Sequence, residues 1–183
     1  MVESAEKSTL KPSQLAARMV IYTASFLAFI LVALPFLFHR LGDWTGLQAW
    51  FDQSVGTGDP WTRRIVGGLV FLVFLAGYMV SSMWLVIVGK GPFVEFDPPR
   101  EFVASGPYRW MRNPVAACLV LTVAGEAIFF ASAGIALLAI LGIPVAHLQV
   151  TRVEEPRLKS RFGVSYEDYC RRVNRWLPRP PKF

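Results

Sequence analysis

Charged residues and cysteines are both scarce in this chain. Asp, Glu, Lys and Arg make up 17% of the 183 residues, whereas 54% are hydrophobic and fall into long runs. A soluble domain of this length could not bury so much apolar surface. The two cysteines, Cys118 and Cys170, lie in an apolar run and in the charged tail, which excludes a disulfide framework and a cysteine-rich metal site. The composition indicates an integral membrane protein with one domain, residues 1–183.

Four apolar stretches are long enough, or nearly so, to cross the hydrocarbon layer as helices. They are residues 15–38, 65–88, 114–130 and 135–150. Only a short run of small residues, 131–134, separates the last two, so these should form a tight antiparallel hairpin. We therefore expect an all-α polytopic membrane protein with about four transmembrane helices, followed by cytoplasmic C-terminal helices.

The chain divides into five segments. They are a polar N-terminal tail (1–13), the first two transmembrane helices (14–91), a cytoplasmic loop (92–113), the helical hairpin (114–151) and the cytoplasmic C-terminal helices (152–183). The first apolar run is too long for a signal-peptide core, so no cleaved signal is expected. In the tail, Pro156 should end the fourth helix and begin a new one, and Gly163 should separate that helix from another near Ser165.

The distribution of Lys and Arg predicts the orientation. Four lie in the second loop and nine in the tail, which places both segments and both termini in the cytoplasm. There is no separate basic domain, so the net charge of +6 does not indicate a nucleic-acid partner. Because a hairpin returns to the bilayer face where it began, the loop before Pro114 and the pair Glu154-Glu155 should become neighbours.

The loop before the hairpin holds a cluster of polar residues. Asn113 should cap the third helix, with Pro114 as its first residue. Tyr108, Arg109 and Arg112 precede it, and the arginines suit either lipid headgroups or a ligand.

The hairpin ends on a pair of carboxylates. Glu154-Glu155 lies where the helix dipole is negative, which requires a positive partner such as Arg152 or a cationic or hydroxylated ligand. Both readings stay open.

Two further features have both a structural and a functional interpretation. Gly89-Lys90-Gly91 can end a helix, or it can let backbone amides approach an anion. Glu126 and His147 are the ionisable groups within the hairpin, and each should face protein. His147 lies near the cytoplasmic end, where it is either a helix-packing histidine or a site residue, and its spacing suggests no metal ligand set.

The second half of the chain resembles a known group of proteins. The ordered combination runs from Gly89-Lys90-Gly91 through Gly106-Pro107-Tyr108-Arg109, Arg112-Asn113-Pro114 and Glu154-Glu155 to Trp176-Leu177-Pro178. It is similar to the isoprenylcysteine carboxyl methyltransferase and phospholipid methyltransferase superfamily of integral membrane enzymes. Two departures are Asn113, where many members have histidine, and Ala116, where a tyrosine is usual.

The resemblance implies a site for S-adenosylmethionine near the cytoplasmic face, covered by the tail. In that group the glycine pair, the segment Arg112-Asn113-Pro114 and the paired glutamates are associated with this cofactor. We expect the residues around it to be Gly89, Gly91, Tyr108, Arg112, Asn113, Pro114, His147, Glu154 and Glu155. Glu155 and His147 are candidate bases, and Arg152 is a third candidate catalytic residue. The acceptor should be a lipid or amphiphilic small molecule that enters from the bilayer, methylated on oxygen, nitrogen or sulfur.

Two rival functions follow from the same residues. Sterol-reductase-like membrane proteins resemble this superfamily in their C-terminal halves, so an NADPH-dependent reductase is one alternative. The absence of the usual tyrosine at Ala116 motivates the other, a catalytically degenerate protein that interacts with partners or lipids.

Overall fold

The computed structural model describes residues 12–54, 58–90 and 101–180, with side chains from residue 20 onward. These residues form helices joined by short turns, without a strand, which confirms the all-α prediction. Three described segments are long and apolar enough to cross a membrane: Val20–Trp44, Pro60–Gly89 and Ala133–Phe162. The fourth expected span, Pro114–Phe130, is apolar but has 17 residues. The protein is thus a polytopic helical membrane protein.

The first span consists of α1 (Pro12–Ala28), a π-helical turn (Phe29–Ala33) and α2 (Leu34–Trp44). A short helix, α3 (Leu47–Ser54), follows after one turn. The indole rings of Trp44 and Trp50 are exposed here, which is the arrangement expected of anchors at a membrane interface.

The second span is one helix, α4 (Pro60–Gly89). It begins where the Asp59 carboxylate accepts a 2.7 Å hydrogen bond from the Thr62 amide, and it ends at Lys90 in the left-handed conformation. This long helix packs along α5 (Pro114–Phe130), and their backbones approach most closely at Gly67 and Gly125.

The predicted hairpin consists of α5 and α6 (Ala133–Gln149). Ala131 turns the chain with φ 49°, and the Ser132 hydroxyl accepts a 3.3 Å hydrogen bond from the Ile135 amide. The two helices share an apolar core formed by Val123, Ala127, Ile135 and Ala139. The tight turn expected from the small residues 131–134 is therefore confirmed.

The side-chain amide of Gln48, on α3, bridges the hairpin turn by bonding to a backbone group on each side of it. Its Nε2 donates to the Ala131 carbonyl at 3.0 Å, and its Oε1 accepts from the Ala133 amide at 2.9 Å. Beside it, His39 Nδ1 and the Ser132 hydroxyl lie 2.9 Å apart. These contacts satisfy polar groups that the turn would otherwise leave unpaired next to the hydrocarbon.

Replacing Gln48 with alanine should lower the free energy of unfolding by about 2 kcal/mol, because two hydrogen bonds to partly buried backbone groups are lost. The measurement is denaturant unfolding in detergent micelles, with Gln53→Ala on the exposed side of α3 as the control. Equal stability of the two variants would contradict the structural role given to Gln48.

The end of the hairpin differs from the sequence prediction. Instead of stopping near Glu155, α6 continues through a π-helical turn (Val150–Glu154) into α7 (Glu155–Phe162). Pro156 lies where hydrogen-bond spacing changes from five residues back to four. One carbonyl is left without an amide donor at such a change, so a residue lacking an N–H fits there at little cost. A new α-helix does begin at Glu155 with Pro156 in its first turn, close to the predicted position, but the chain stays helical across this boundary, so the predicted end of the helix was wrong.

Gly163, with φ 51°, separates α7 from α8 (Val164–Arg172), as the sequence predicted. Tyr166 and Tyr169 of α8 pack on Phe102 and Phe162, with ring centroids of Phe102 and Tyr169 5.2 Å apart. This aromatic cluster holds the C-terminal helices against the chain that enters the hairpin.

Candidate functional site

The chain that follows α4 is tied back to the end of that helix. The Glu101 amide donates to the Gly89 carbonyl at 3.0 Å, and the Lys90 ammonium lies 2.7 Å from the Glu101 carboxylate. Gly89 is buried at this joint, whereas Gly91 lies outside the described residues. The end of α4 thus reaches the same membrane face as the two ends of the hairpin.

Tyr108 connects this joint to the C-terminal helices. It lies on a 3₁₀ turn (Gly106–Arg109), and its hydroxyl donates to the Ser81 carbonyl of α4 at 3.4 Å. Its own carbonyl accepts a 2.6 Å hydrogen bond from the Tyr169 hydroxyl. Burial raises the pKa of the Tyr108 phenol, and Tyr169 and Glu154 add to the shift, so the hydroxyl remains protonated at neutral pH.

The centre of the site is the Glu155 carboxylate. Arg175 donates to it from Nε and Nη2, each at 2.8 Å, and Arg112 Nη2 lies 3.4 Å from Glu155 Oε1. The side chains of Arg112 and Glu155 are only 11% and 15% exposed. The hydrogen bond to Glu155 raises the pKa of Arg175, so the pair stays charged. The loop before α5, the end of the hairpin and the tail therefore meet at one carboxylate.

Residues 173–180, called the tail strap below, run alongside the loop before α5. The Arg112 amide donates to the Asn174 carbonyl at 2.8 Å, and the Arg179 amide donates to the Trp110 carbonyl at 3.0 Å. These backbone bonds hold the strap across the entry to the hairpin.

Asn113 belongs to the same arrangement. It lies at the N-cap position of α5 as predicted, but its side chain donates to the Arg175 carbonyl at 3.4 Å and makes no capping bond to the helix. Pro114 is buried as the first residue of α5, as expected.

His147 lies on the last turn of α6 and is exposed, contrary to the expectation that it would face protein. Trp176 of the tail strap covers one edge of its ring, and the indole Nε1 donates to His147 Nδ1 at 3.2 Å. Glu126, in contrast, is buried in the hairpin as expected.

The remaining candidates lie on the π-helical turn. Glu154 is exposed and close enough to Tyr108 to act on its phenol electrostatically. Arg152 is also exposed and makes no hydrogen bond or ion pair within the part of the chain that the structure describes. The structure thus groups Arg112, Asn113 and Glu155 directly, places His147 and Glu154 beside them, and leaves Arg152 at the edge.

One donor at the centre of the site is unsatisfied. Arg112 Nε is buried and has no hydrogen-bond partner, although Nη2 of the same guanidinium lies near Glu155. A buried donor without a partner is costly, about 1–3 kcal/mol. It is therefore suited to bind an anionic group, because a planar guanidinium recognises a carboxylate through two parallel N–H bonds.

Sequence reasoning did not identify two of the most connected residues, Arg175 and Trp176. No sequence spacing near Arg175 predicts that it pairs with Glu155. Trp176 was part of the resemblance, but nothing in the sequence paired it with His147. Both contacts depend on how the chain returns after α8.

The helices and the site together define a polytopic membrane protein with a polar centre at one membrane face. The chain belongs to the phospholipid methyltransferase family, whose sequence model matches residues 62–165, more than half of the chain. This match includes the long helix α4, the loop, the hairpin and Glu155. Membership in the family supports methyl transfer at a membrane as the general activity.

Two curated proteins are similar over most of the chain. The nickel-cobalt-cadmium resistance protein NccN of Alcaligenes xylosoxydans xylosoxydans is 23% identical over 149 residues, which cover 79% of this chain and 67% of the relative. The cobalt-zinc-cadmium resistance protein CzcN of Cupriavidus metallidurans (strain ATCC 43123 / DSM 2839 / NBRC 102507 / CH34) is 23% identical over 145 residues, covering 77% of this chain and 64% of the relative. The match spans about two thirds of each relative's length. No solved structure gives a significant match.

Proposed function

We propose that this protein transfers a methyl group from S-adenosylmethionine to a lipid or amphiphilic small molecule at the cytoplasmic membrane interface. The observation that carries the proposal is the meeting of Arg112, Glu155 and Arg175 at the end of the hairpin. Arg112 and Glu155 are two of the residues that the resemblance assigns to a cofactor site, and they lie within the region that matches the family of membrane methyltransferases.

The donor set of the site fits this cofactor. Arg112 Nε is a buried donor in need of a partner, and the carboxylate of the methionine part is a suitable one. Glu154, which precedes Glu155 in the chain, is exposed, and its carboxylate can accept from an ammonium group or ribose hydroxyls. Gly89 and Pro114 are both buried, and Tyr108 and Asn113 hold the loop in place through their hydrogen bonds.

When bound, S-adenosylmethionine supplies a methyl group on a positively charged sulfur, open to in-line attack by a lone pair. The protein's task is therefore alignment and the exclusion of water. The tail strap covers the loop and would help to exclude water there, whereas Trp176 contacts one edge of the His147 ring, which is otherwise exposed. Glu155 accepts from two guanidinium groups, which suits it to hold Arg112 and the strap in register. The catalytic roles of Glu155, His147 and Arg152 remain predictions.

The acceptor has access from the bilayer. Below His147, on the same face of α6, the side chains of Ile140 and Ile143 are exposed, so an amphiphile can keep its apolar part in hydrocarbon. Arg152 lies at the interface above them, where a phosphate or carboxylate headgroup would meet it. We place both termini in the cytoplasm and treat residues 1–183 as one domain, in keeping with the distribution of Lys and Arg.

The two curated relatives are named for resistance to nickel, cobalt, zinc and cadmium. Our proposal for this chain concerns methyl transfer. Among the described residues, no group of three or more His, Cys, Asp or Glu side chains is placed to hold a metal ion.

Titration of the purified protein with S-adenosylmethionine tests the cofactor. Arg112→Lys keeps a cation near Glu155 but removes the Nε donor and the planar fork, so affinity should fall about 10-fold or more. Arg171→Gln is the matched control, because Arg171 is exposed and pairs within α8 with Asp168.

Unchanged affinity in both Arg112→Lys and Glu154→Gln would remove the proposed cofactor site. Binding of NADPH in place of S-adenosylmethionine would favour a membrane reductase. If neither compound binds, the protein is better described as an interaction protein.

A further inference from the structure

In the contact between Trp176 and His147, the indole is the hydrogen-bond donor and the imidazole is the acceptor. The indole Nε1 lies 3.2 Å from His147 Nδ1, and the two ring centroids are 6.2 Å apart. An indole N–H can only donate, so Nδ1 must be the nitrogen that carries the lone pair. In a neutral imidazole the proton then lies on Nε2.

This tautomer limits what His147 can do. Its lone pair is already engaged by Trp176, and its other nitrogen carries a hydrogen. Protonation of the ring would place one N–H against another and break the contact. While the strap is in place, His147 is therefore a hydrogen-bond donor and is poorly suited to remove a proton from an acceptor.

The surroundings of His147 indicate what it binds. It is exposed at the cytoplasmic end of the lipid-facing row of α6 that includes Ile140 and Ile143, which precede it on the same helix face and are 62% and 61% exposed. The free Nε2–H therefore lies at the boundary between the bilayer and the site, where the polar end of an amphiphile would arrive. Glu155 carries the nearby negative charge, but Arg112 and Arg175 neutralise it.

We propose that Trp176 is a positioning residue that fixes His147 as a donor through Nε2–H, and that this donor binds an oxygen atom in the acceptor's polar headgroup. The second half of this inference rests on the proposed methyl transfer. Trp176 lies beyond residues 62–165, so the family match does not include it. The tail strap would thereby contribute to acceptor recognition as well as to coverage of the site.

The tautomer can be measured without any activity. The chain has only two histidines, His39 and His147, so nitrogen-15 labelling of histidine gives two imidazole patterns, and His147→Gln assigns them. In the full chain in detergent micelles, His147 should show the Nε2–H tautomer. Trp176→Phe keeps an aromatic ring but removes the N–H donor, so the population should shift to a mixture of both tautomers. Trp61→Phe, at the opposite membrane face, is the control.

An Nδ1–H tautomer in the wild type, or an unchanged pattern in Trp176→Phe, would overturn the positioning role. This result does not depend on whether the protein binds S-adenosylmethionine. Failure of the proposed function and failure of this inference are therefore separable.

The donor role is tested by transfer of labelled methyl groups to a total bacterial lipid extract. The amide nitrogen of glutamine falls near the position of Nε2, whereas that of asparagine falls near Nδ1. His147→Gln should keep at least a third of the rate, and His147→Asn should lose about 10-fold, chiefly through a higher KM for lipid. Equal losses in both variants, or a loss confined to S-adenosylmethionine affinity, would refute acceptor binding by His147.

Discussion

Replacing Gly67 with alanine should destabilise the protein by about 3 kcal/mol, at the upper end of the range for overpacking. A Cβ at this position would overlap the amide nitrogen of Phe129 and lie 2.7 Å from its Cα and 2.9 Å from the Gly125 carbonyl oxygen. These are backbone atoms, so no side chain can rotate away and α4 must separate from α5. Small residues drive such close contacts in membranes, where apolar surface alone gives no preference for protein over lipid.

The neighbouring glycine provides a matched control. A Cβ on Gly68 would meet only the Phe129 ring, at 3.8 Å, which is an ordinary contact. Gly68→Ala should be neutral or stabilise by up to about 1 kcal/mol, because alanine favours the helix. Unfolding of both variants in bicelles measures the difference. If both substitutions lower the free energy of unfolding, or both raise it, the backbone contact between α4 and α5 is not as tight as described.

Replacing Glu155 with alanine should cost about 2 kcal/mol and release the tail strap. The variant leaves Arg112 and Arg175 facing each other without a carboxylate. Breaking a fully buried ion pair costs about 3–5 kcal/mol. We expect a smaller loss for Glu155→Ala because the Arg175 side chain is 31% exposed to water. Hydrogen exchange should accelerate at the backbone amides of Arg112 and Arg179, because their hydrogen bonds join the strap to the loop before α5. Binding of S-adenosylmethionine should weaken in parallel.

The pair Lys159 and Glu167 is a suitable control, with a separation of 2.8 Å but side chains that are 65% and 39% exposed. Glu167→Ala should cost less than about 1 kcal/mol and leave exchange in the strap unchanged. A Glu155→Ala protein with a protected strap would show that the backbone bonds alone hold it. Glu155 would then need another role.

Much of this arrangement could be predicted from the sequence because a membrane restricts the possible folds. The apolar runs and the small residues after Phe130 were enough to predict the hairpin. Once it was a hairpin, Arg112 and Glu155 had to lie at the same face. Gly163 likewise marked the boundary between α7 and α8. Each of these inferences used a local signal together with one geometric constraint.

What the sequence did not predict has two physical origins, a local change in helix geometry and contacts between residues distant in sequence. Asn113 lies at the N-cap position of α5, but its side-chain amide donates to the strap carbonyl of Arg175. Pro156 usually ends a helix, but the π-helical turn before it removes the conflict. The partners of Glu155 and His147 arrive from the strap, and no pattern of residues near either one predicts that return.

Because of the π-helical turn, the position of Glu155 depends on the number of residues in this region as well as on their identity. A helix advances by about 100° per residue, so shortening Val150–Glu154 by one would turn every following side chain by that angle. Glu155 would then rotate away from Arg112 while remaining in a well-formed helix. Relatives that keep the two glutamates but differ in length between His147 and Glu155 should therefore have a rearranged tail.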